Sequence, residues 1–304
     1  MTHAKARLLM CRPEHFAVTY TINPWMDPES WARERRPLAA TAHKEWNGLY
    51  RALREAGAEI DLVPPVPGLP DLVFTANAAV VLDGKALLAR FRHPERQPEE
   101  PHYEAAFRAL QARGLIRTIV KLPSTVMLEG AGDCVFDRAR SLFWMGYGPR
   151  SDAAARPIVA REFGVDVVAL ELADPRFYHM DTALCPLSVG EVMFFPGAFT
   201  PAGQGAIRER VQPWQRIEIA PEDAVLLASN AVCIDDCVIL SSCSDRLRDE
   251  LTERGYRVVA TPLGSFARSG GSAFCLTLRL DRTAAMPPNV LRGAGHRHPV
   301  SVET

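Results

Sequence analysis

One pattern recurs five times along this chain and limits the folds open to it. Two short strands joined by a tight turn are followed by a helix and then a third strand. In the first unit, Asn77 to Phe91 reads as strand, turn, strand. Its turn is Asp83-Gly84, a pair suited to the positive φ angles of a two-residue hairpin. A helix follows near Pro101 to Arg113, then a strand at Arg117 to Leu122. In the second, Cys134 to Phe136 and Ser141 to Met145 flank a turn at Asp137 to Arg140. Its helix is expected near Ser151 to Phe163, with Ser151 as N-cap, and its strand at Val165 to Leu172. The third has Thr182 to Leu187, a turn at Ser188 to Glu191, Val192 to Phe195, a helix after Thr200-Pro201 and a strand near Arg216 to Ile219. The fourth has Ala231 to Ile234, a turn at Asp235-Asp236, Cys237 to Ser241, a helix from Ser244 and a strand at Arg257 to Thr261.

The fifth unit is split between the ends of the chain. Phe274 to Arg279 is one strand and Ala6 to Cys11 its expected partner, with a helix near Thr41 to Ala56 and a strand at Glu59 to Val63. Five units whose ends join predict an α/β fold closed into a ring, which leaves no exposed sheet edge. An ordinary α/β domain of alternating strands and helices is the plainer alternative. Residues 1–283 form one expected domain, and 284–304, with Pro287-Pro288 and little periodicity, a loosely attached tail. His296 and His298 fall in that tail and read as solvated. The Pro-rich stretch Pro64 to Pro70 is a rigid connector.

The polar residues fall at one place in each unit, just before or at the start of the first hairpin strand. They are Asp71 to Asn77, Glu129 to Asp133, His179 to Asp181, Ser229-Asn230, and Ser269 to Cys275. In a ring of similar units these equivalent positions converge on one axis, so five distant segments become one site. Cys275 follows Gly270-Gly271-Ser272, a turn able to bring backbone amides close to a ligand, and is expected to enter an apolar strand. A thiolate nucleophile needs a nearby base or cation. His179, beside Asp181 and with Glu129 available to orient its ring, is the candidate. Taken alone, Cys275 is one strand cysteine among seven and His179 one loop histidine. Glu129 is harder to dismiss, because a carboxylate between Leu128 and Gly130 is not a plain solvated face.

Charge narrows the partners. Lys plus Arg number 35 against 36 Asp plus Glu, so nothing electrostatic favours nucleic acid or a membrane surface. No apolar run approaches the roughly 18 residues that span a bilayer. Met1 to Met10 lacks the apolar core of a leader, which predicts a cytoplasmic protein. Seven scattered cysteines are not a disulfide framework. Cys233-x-x-x-Cys237 has no second metal half-site and brackets a turn, and the glycines form no phosphate-binding fingerprint, so neither metal nor cofactor is expected.

Together these segments resemble the guanidino-modifying superfamily of arginine deiminases, dimethylarginine dimethylaminohydrolases, amidinotransferases and arginine dihydrolases. The residues that carry the resemblance are Phe74-Thr-Ala-Asn77, Phe91-Arg-His-Pro-Glu-Arg96, Leu128-Glu-Gly-Ala-Gly-Asp133, His179-Met-Asp181 and Ser269-Gly-Gly-Ser-Ala-Phe-Cys275. The resemblance implies a five-bladed pseudo-symmetric α/β propeller and a cofactor-free hydrolase acting on the C–N bonds of arginine or a guanidino analogue. It implies Cys275 as nucleophile, His179 as general acid and base, and Glu129 as the carboxylate holding His179. Asp181 would bind guanidinium nitrogens and Arg96 the substrate α-carboxylate. Phe74, Asp133, Asn77 and Asn23 would line the substrate. In arginine deiminases the position of Asn77 is typically Asp. Asn77, with Met10-Cys-Arg-Pro-Glu-His-Phe16 and Ile22-Asn-Pro-Trp-Met26, looks most like the arginine dihydrolases, which take arginine through citrulline to ornithine, ammonia and carbon dioxide. A dimethylarginine hydrolase, an amidinotransferase, a non-catalytic amino-acid-binding protein and an unrelated cysteine peptidase are the alternatives. Oligomeric state is left open.

Overall fold

The computed structural model describes residues 5–284. The expected tail, with His296 and His298, lies outside them apart from Ala284. Within them are five three-stranded sheets, each an antiparallel pair with a third strand added in parallel. The first blade is Ala79–Leu82, Lys85–Leu88 and Thr118–Val120. The second is Cys134–Asp137, Leu142–Tyr147 and Asp166–Glu171. The third is Leu184–Pro186, Val192–Phe194 and Arg216–Glu218. The fourth is Val232–Ile234, Cys237–Leu240 and Arg257–Ala260. In the fifth, Leu278–Arg279 pairs antiparallel with Arg7–Cys11, which pairs in parallel with Glu59–Val63. The two ends of the chain therefore share one blade, and the fold is the expected five-bladed α/β propeller.

Local chemistry accounts for the blades. Asp83 and Gly84 both have positive φ, 51° and 67°, the geometry a two-residue hairpin requires. The inner strands Ala79–Leu82 and Cys134–Asp137 are buried at every position, because neighbouring blades cover them. The helix Arg35–Glu55 buries Leu38, Ala42, Trp46, Leu49 and Leu53, one stripe at helical spacing. It begins six residues before the expected Thr41, behind a short helix Pro28–Arg33 capped by Asp27. No helix among the described residues is long and apolar enough to cross a membrane.

Two local expectations are corrected. Ser151 does not cap a helix: the helix is Ala155–Phe163 with Ala154 at its N-cap. The Ser151 hydroxyl instead accepts from the Glu129 amide and donates to Asp133, an engagement that leaves nothing for a cap. Cys275 does not lie in a strand either. Residues 273–276 form a turn, and pairing is confined to Leu278–Arg279. The turn is held by Leu276 N–H to Ser272 and Thr277 N–H to Phe274, bonds that an extended strand could not make.

The same short turn precedes the inner strand of three further blades: Thr75–Ala78, Gly130–Asp133 and Met180–Ala183. Hydrogen bonds pass from each blade to the next through these turns. Asn77 Nδ2 donates to the Glu129 carbonyl at 3.3 Å, and Asp133 accepts from Met180 N–H at 3.1 Å. Asn230 Nδ2 donates to the Asp181 carbonyl at 3.1 Å, and its Oδ1 accepts from Cys275 N–H at 3.1 Å. Ala76 N–H donates to the Cys275 carbonyl at 3.1 Å and returns to the first blade. The circuit is closed, and it encircles the axis.

Candidate active site

The turns bring Cys275, His179, Glu129, Asp181, Asn77 and Asp133 together at one end of the axis, with Glu129, His179 and Cys275 only 0, 1 and 2% exposed. The two glycines around Ala131 make this packing possible. Gly130 has φ +62°, and a Cβ there would meet the Ala76 carbonyl at 2.7 Å. At Gly132 a Cβ would stand 2.1 Å from Asn77 Nδ2 and 3.6 Å from the His179 ring. Gly132→Ala is therefore expected to destabilise the protein by about 1–3 kcal/mol through overpacking. Urea denaturation checks this, and an unchanged midpoint would show that Asn77 moves aside freely.

Glu129 is the hub. Its Oε2 lies 2.8 Å from His179 Nε2 and 3.0 Å from Arg150 Nη1, and its Oε1 accepts from the Arg92 amide at 3.2 Å. Burial opposes its ionisation, but Arg150 and then the His179 hydrogen bond outweigh that and hold Glu129 well below the usual carboxylate range. His179 is pushed down to about 4, chiefly by burial, with Glu129 opposing. The imidazole is thus neutral at pH 7 and held by a charged carboxylate. Arg150 also stacks over the Tyr178 ring at 4.5 Å.

Cys275 Sγ lies 3.1 Å from Asp181 Oδ2 and 3.1 Å from Asn230 Nδ2. Burial, then Asp181, push the thiol well above its ordinary value, with Ser272 and Asn230 acting the other way. Asp181 is itself raised to about 7, mainly by burial. Its Oδ1 is buried with no hydrogen-bond partner, as is Asp71 Oδ1, whose fellow oxygen accepts from the Tyr20 hydroxyl at 2.9 Å. Each of these buried carboxylate oxygens is left wanting a donor.

The chain resembles known proteins over most of its length. A family model described as N,N dimethylarginine dimethylhydrolase, eukaryotic, matches residues 12–282. The chain belongs to that family, within the pentein superfamily. Among curated proteins, the bifunctional arginine dihydrolase/ornithine cyclodeaminase AgrE of Nostoc sp. is 44% identical over 91% of this chain and 38% of its own length. ArgZ of Synechocystis sp., of the same description, is 41% identical over 95% of this chain and 41% of its own. The chain thus spans about two fifths of each. The N(G),N(G)-dimethylarginine dimethylaminohydrolase of Mycobacterium tuberculosis is 34% identical over 90% of this chain and 85% of that protein. The crystal structure of the N-terminal domain of ArgZ bound to substrate superposes with a TM-score of 0.86 at 41% identity, covering 92% of this chain and all of that one. A dimethylarginine dimethylaminohydrolase adduct at 20% identity, TM-score 0.72, shares the fold.

Phe74 packs its ring against Gly271, beside the thiol turn. Asp133 bridges blades, accepting from Met180 N–H and the Ser151 hydroxyl, and lies 3.9 Å from His179 Nε2. Asn23 donates to the Ser269 carbonyl at 3.0 Å and accepts from Trp25 N–H at 2.9 Å, tying the N-terminal segment over the thiol loop. Arg96 is buried in the site. Its Nε and Nη2 donate to Glu99, at 2.9 and 2.8 Å, while Nη1 donates to Asn77 Oδ1 at 2.9 Å and Nη2 also reaches the Asp71 carbonyl at 3.2 Å. Its contribution in this arrangement is to fix which way the Asn77 amide points. Arg150, Tyr178 and Glu99 went unread in the sequence. The available signal was physical: a buried Glu129 needs a cation, and a buried Arg96 needs an anion.

Proposed function

We propose that this protein is an arginine dihydrolase, converting arginine and two waters to ornithine, two ammonia and carbon dioxide with citrulline as intermediate. The observation that carries the reading is Asp181, one oxygen on the Cys275 thiol and the other buried and unpartnered. A guanidinium docked on that oxygen puts its carbon next to sulfur. The orphaned Asp71 oxygen would take the α-ammonium at the other end. The names of AgrE and ArgZ, and a solved ArgZ complex with a covalent reaction intermediate, support the same class.

The thiol is high in the free protein because it is buried and, next, because its partner is an anion. A bound guanidinium offsets that anion, so the substrate itself favours the thiolate. Sulfur adds to the guanidino carbon, and the thiol proton passes through His179 to the departing nitrogen, which leaves as ammonia. The C–N bond breaks as the C–S bond forms, leaving a thiouronium. His179 then takes a proton from water. The hydroxide adds to the carbon, the C–S bond breaks, and citrulline and the thiolate result. A second attack on the ureido carbon releases the second ammonia and a thiocarbamate. Its hydrolysis gives the carbamate of ornithine, which loses carbon dioxide. Asn77, an amide that both donates and accepts, suits a neutral ureido group better than a carboxylate would. No electron acceptor enters any step. The seven free cysteines fit a reducing compartment, so we place the protein in the cytoplasm.

The test is product analysis with arginine, citrulline and dimethylarginine. Ornithine from both arginine and citrulline is the expected result. The family match favours a second reading, a dimethylarginine dimethylaminohydrolase. Dimethylamine from dimethylarginine, without ornithine from arginine, would establish that instead.

A further inference from the structure

We propose that Asn230 is a catalytic residue: its side-chain amide donates a hydrogen bond to the Cys275 thiolate and holds the turn that carries the sulfur. The proposal deepens the guanidine-hydrolase reading and rests on it. Asn230 is fully buried in the fourth blade, immediately before the inner strand. Its Nδ2 stands 3.1 Å from Cys275 Sγ and 3.1 Å from the Asp181 carbonyl. Its Oδ1 accepts from Cys275 N–H and Ser272 N–H, both at 3.1 Å. Its own carbonyl accepts from Phe274 N–H at 3.2 Å. Both amide hydrogens and both acceptor positions are occupied, so the orientation is fixed. A flipped amide would aim its NH₂ at two backbone N–H donors and its oxygen at a carbonyl.

The surroundings show why a donor matters here. Among the described residues, the side chains hydrogen-bonded to Sγ are Asp181 and Asn230. Asp181 repels a thiolate, and no lysine or arginine bonds the sulfur. A thiolate forms twice per hydrolysis, at attack and again when the C–S bond breaks, and a charged sulfur needs donors that a neutral thiol does not. Asn230 is preorganised for that charge, since the two backbone amides and the Asp181 carbonyl hold it in place before substrate arrives.

Two variants test this in the full chain. Asn230→Asp keeps the shape and the oxygen that accepts from Cys275 and Ser272, but turns a carboxylate oxygen toward Sγ. Asn230→Ser removes the amide donor without adding charge. The first readout is the pH dependence of Cys275 alkylation by iodoacetamide in substrate-free protein, followed by mass spectrometry on the Cys275 peptide. The second is kcat and KM with arginine. Both variants should move the alkylation midpoint up by about one pH unit or more, Asn230→Asp further than Asn230→Ser. In both, kcat should fall by about 10²-fold with KM little changed. An unmoved midpoint in folded protein would overturn the proposal and leave Asn230 a structural residue. Should Asn230→Asp fail to fold, Asn230→Ser decides on the same measurement. The alkylation arm needs no turnover, so it stands even if arginine is not the substrate; failure on arginine with a shifted midpoint would count against the guanidine reading alone.

Discussion

Cys275→Ala is expected to abolish conversion of arginine, with kcat lowered by roughly 10⁶-fold, the scale seen when a covalent nucleophile is removed. The fold should survive the change. Cys275 is anchored by its backbone, through its N–H to Asn230 and its carbonyl from Ala76, and neither bond involves sulfur. The thermal midpoint should therefore stay within a few degrees of wild type. Cys275→Ser should do little better, because a hydroxyl facing the Asp181 carboxylate is far harder to ionise than a thiol. Retention of more than about a hundredth of wild-type kcat in folded Cys275→Ala protein would sink the covalent mechanism.

Glu129→Gln is expected to reduce kcat by about 10²–10⁴-fold and to weaken the fold as well. The amide matches the carboxylate in shape but not in charge. His179 loses the anion that opposes its burial, so its pKa falls further below about 4 and it becomes a poorer base toward water. Arg150 is left buried without its carboxylate. Breaking one side of a buried ion pair costs about 3–5 kcal/mol, which urea denaturation would register together with the loss in rate. Wild-type stability with wild-type turnover would mean that neither partner depends on the Glu129 charge.

How much of this was legible in the sequence follows from the range of the forces involved. The hairpins were readable because Asp83-Gly84 and its counterparts act over a few residues, whatever the rest of the chain does. The five polar clusters were readable because they recur at one place in the repeat. Ser151 misled because a serine ahead of a helix is normally a cap. Here Asp133, 18 residues away, claims its hydroxyl. Cys275 read as strand because Phe274 to Leu280 is apolar, whereas hydrogen bonds from other blades fold that segment into a turn. Glu99 escaped notice as the anion beside Arg96, because an i,i+3 pair of opposite charges reads as an ordinary surface pair until the guanidinium is seen to be buried. Arg150 left no trace at all. It sits in an ordinary-looking Gly-Pro-Arg-Ser loop, and only the three-dimensional position of Glu129 explains it.

The blade shared by the two ends of the chain bears on when the catalyst comes into being. Leu8 and Leu9 pair with Arg279 and Leu278, and the proposed nucleophile Cys275 sits just ahead of those two closing residues. A growing chain can complete four blades, including His179, Glu129 and Asp181, while its first strand still waits for an antiparallel neighbour. Cys275 and the pairing that closes the ring lie within a few residues of each other, so the thiol turn and the closure are built from one short segment. Contacts spanning nearly the whole sequence slow the search for the native state. In return, the Cys275 turn sits beside the strand pair that closes the ring.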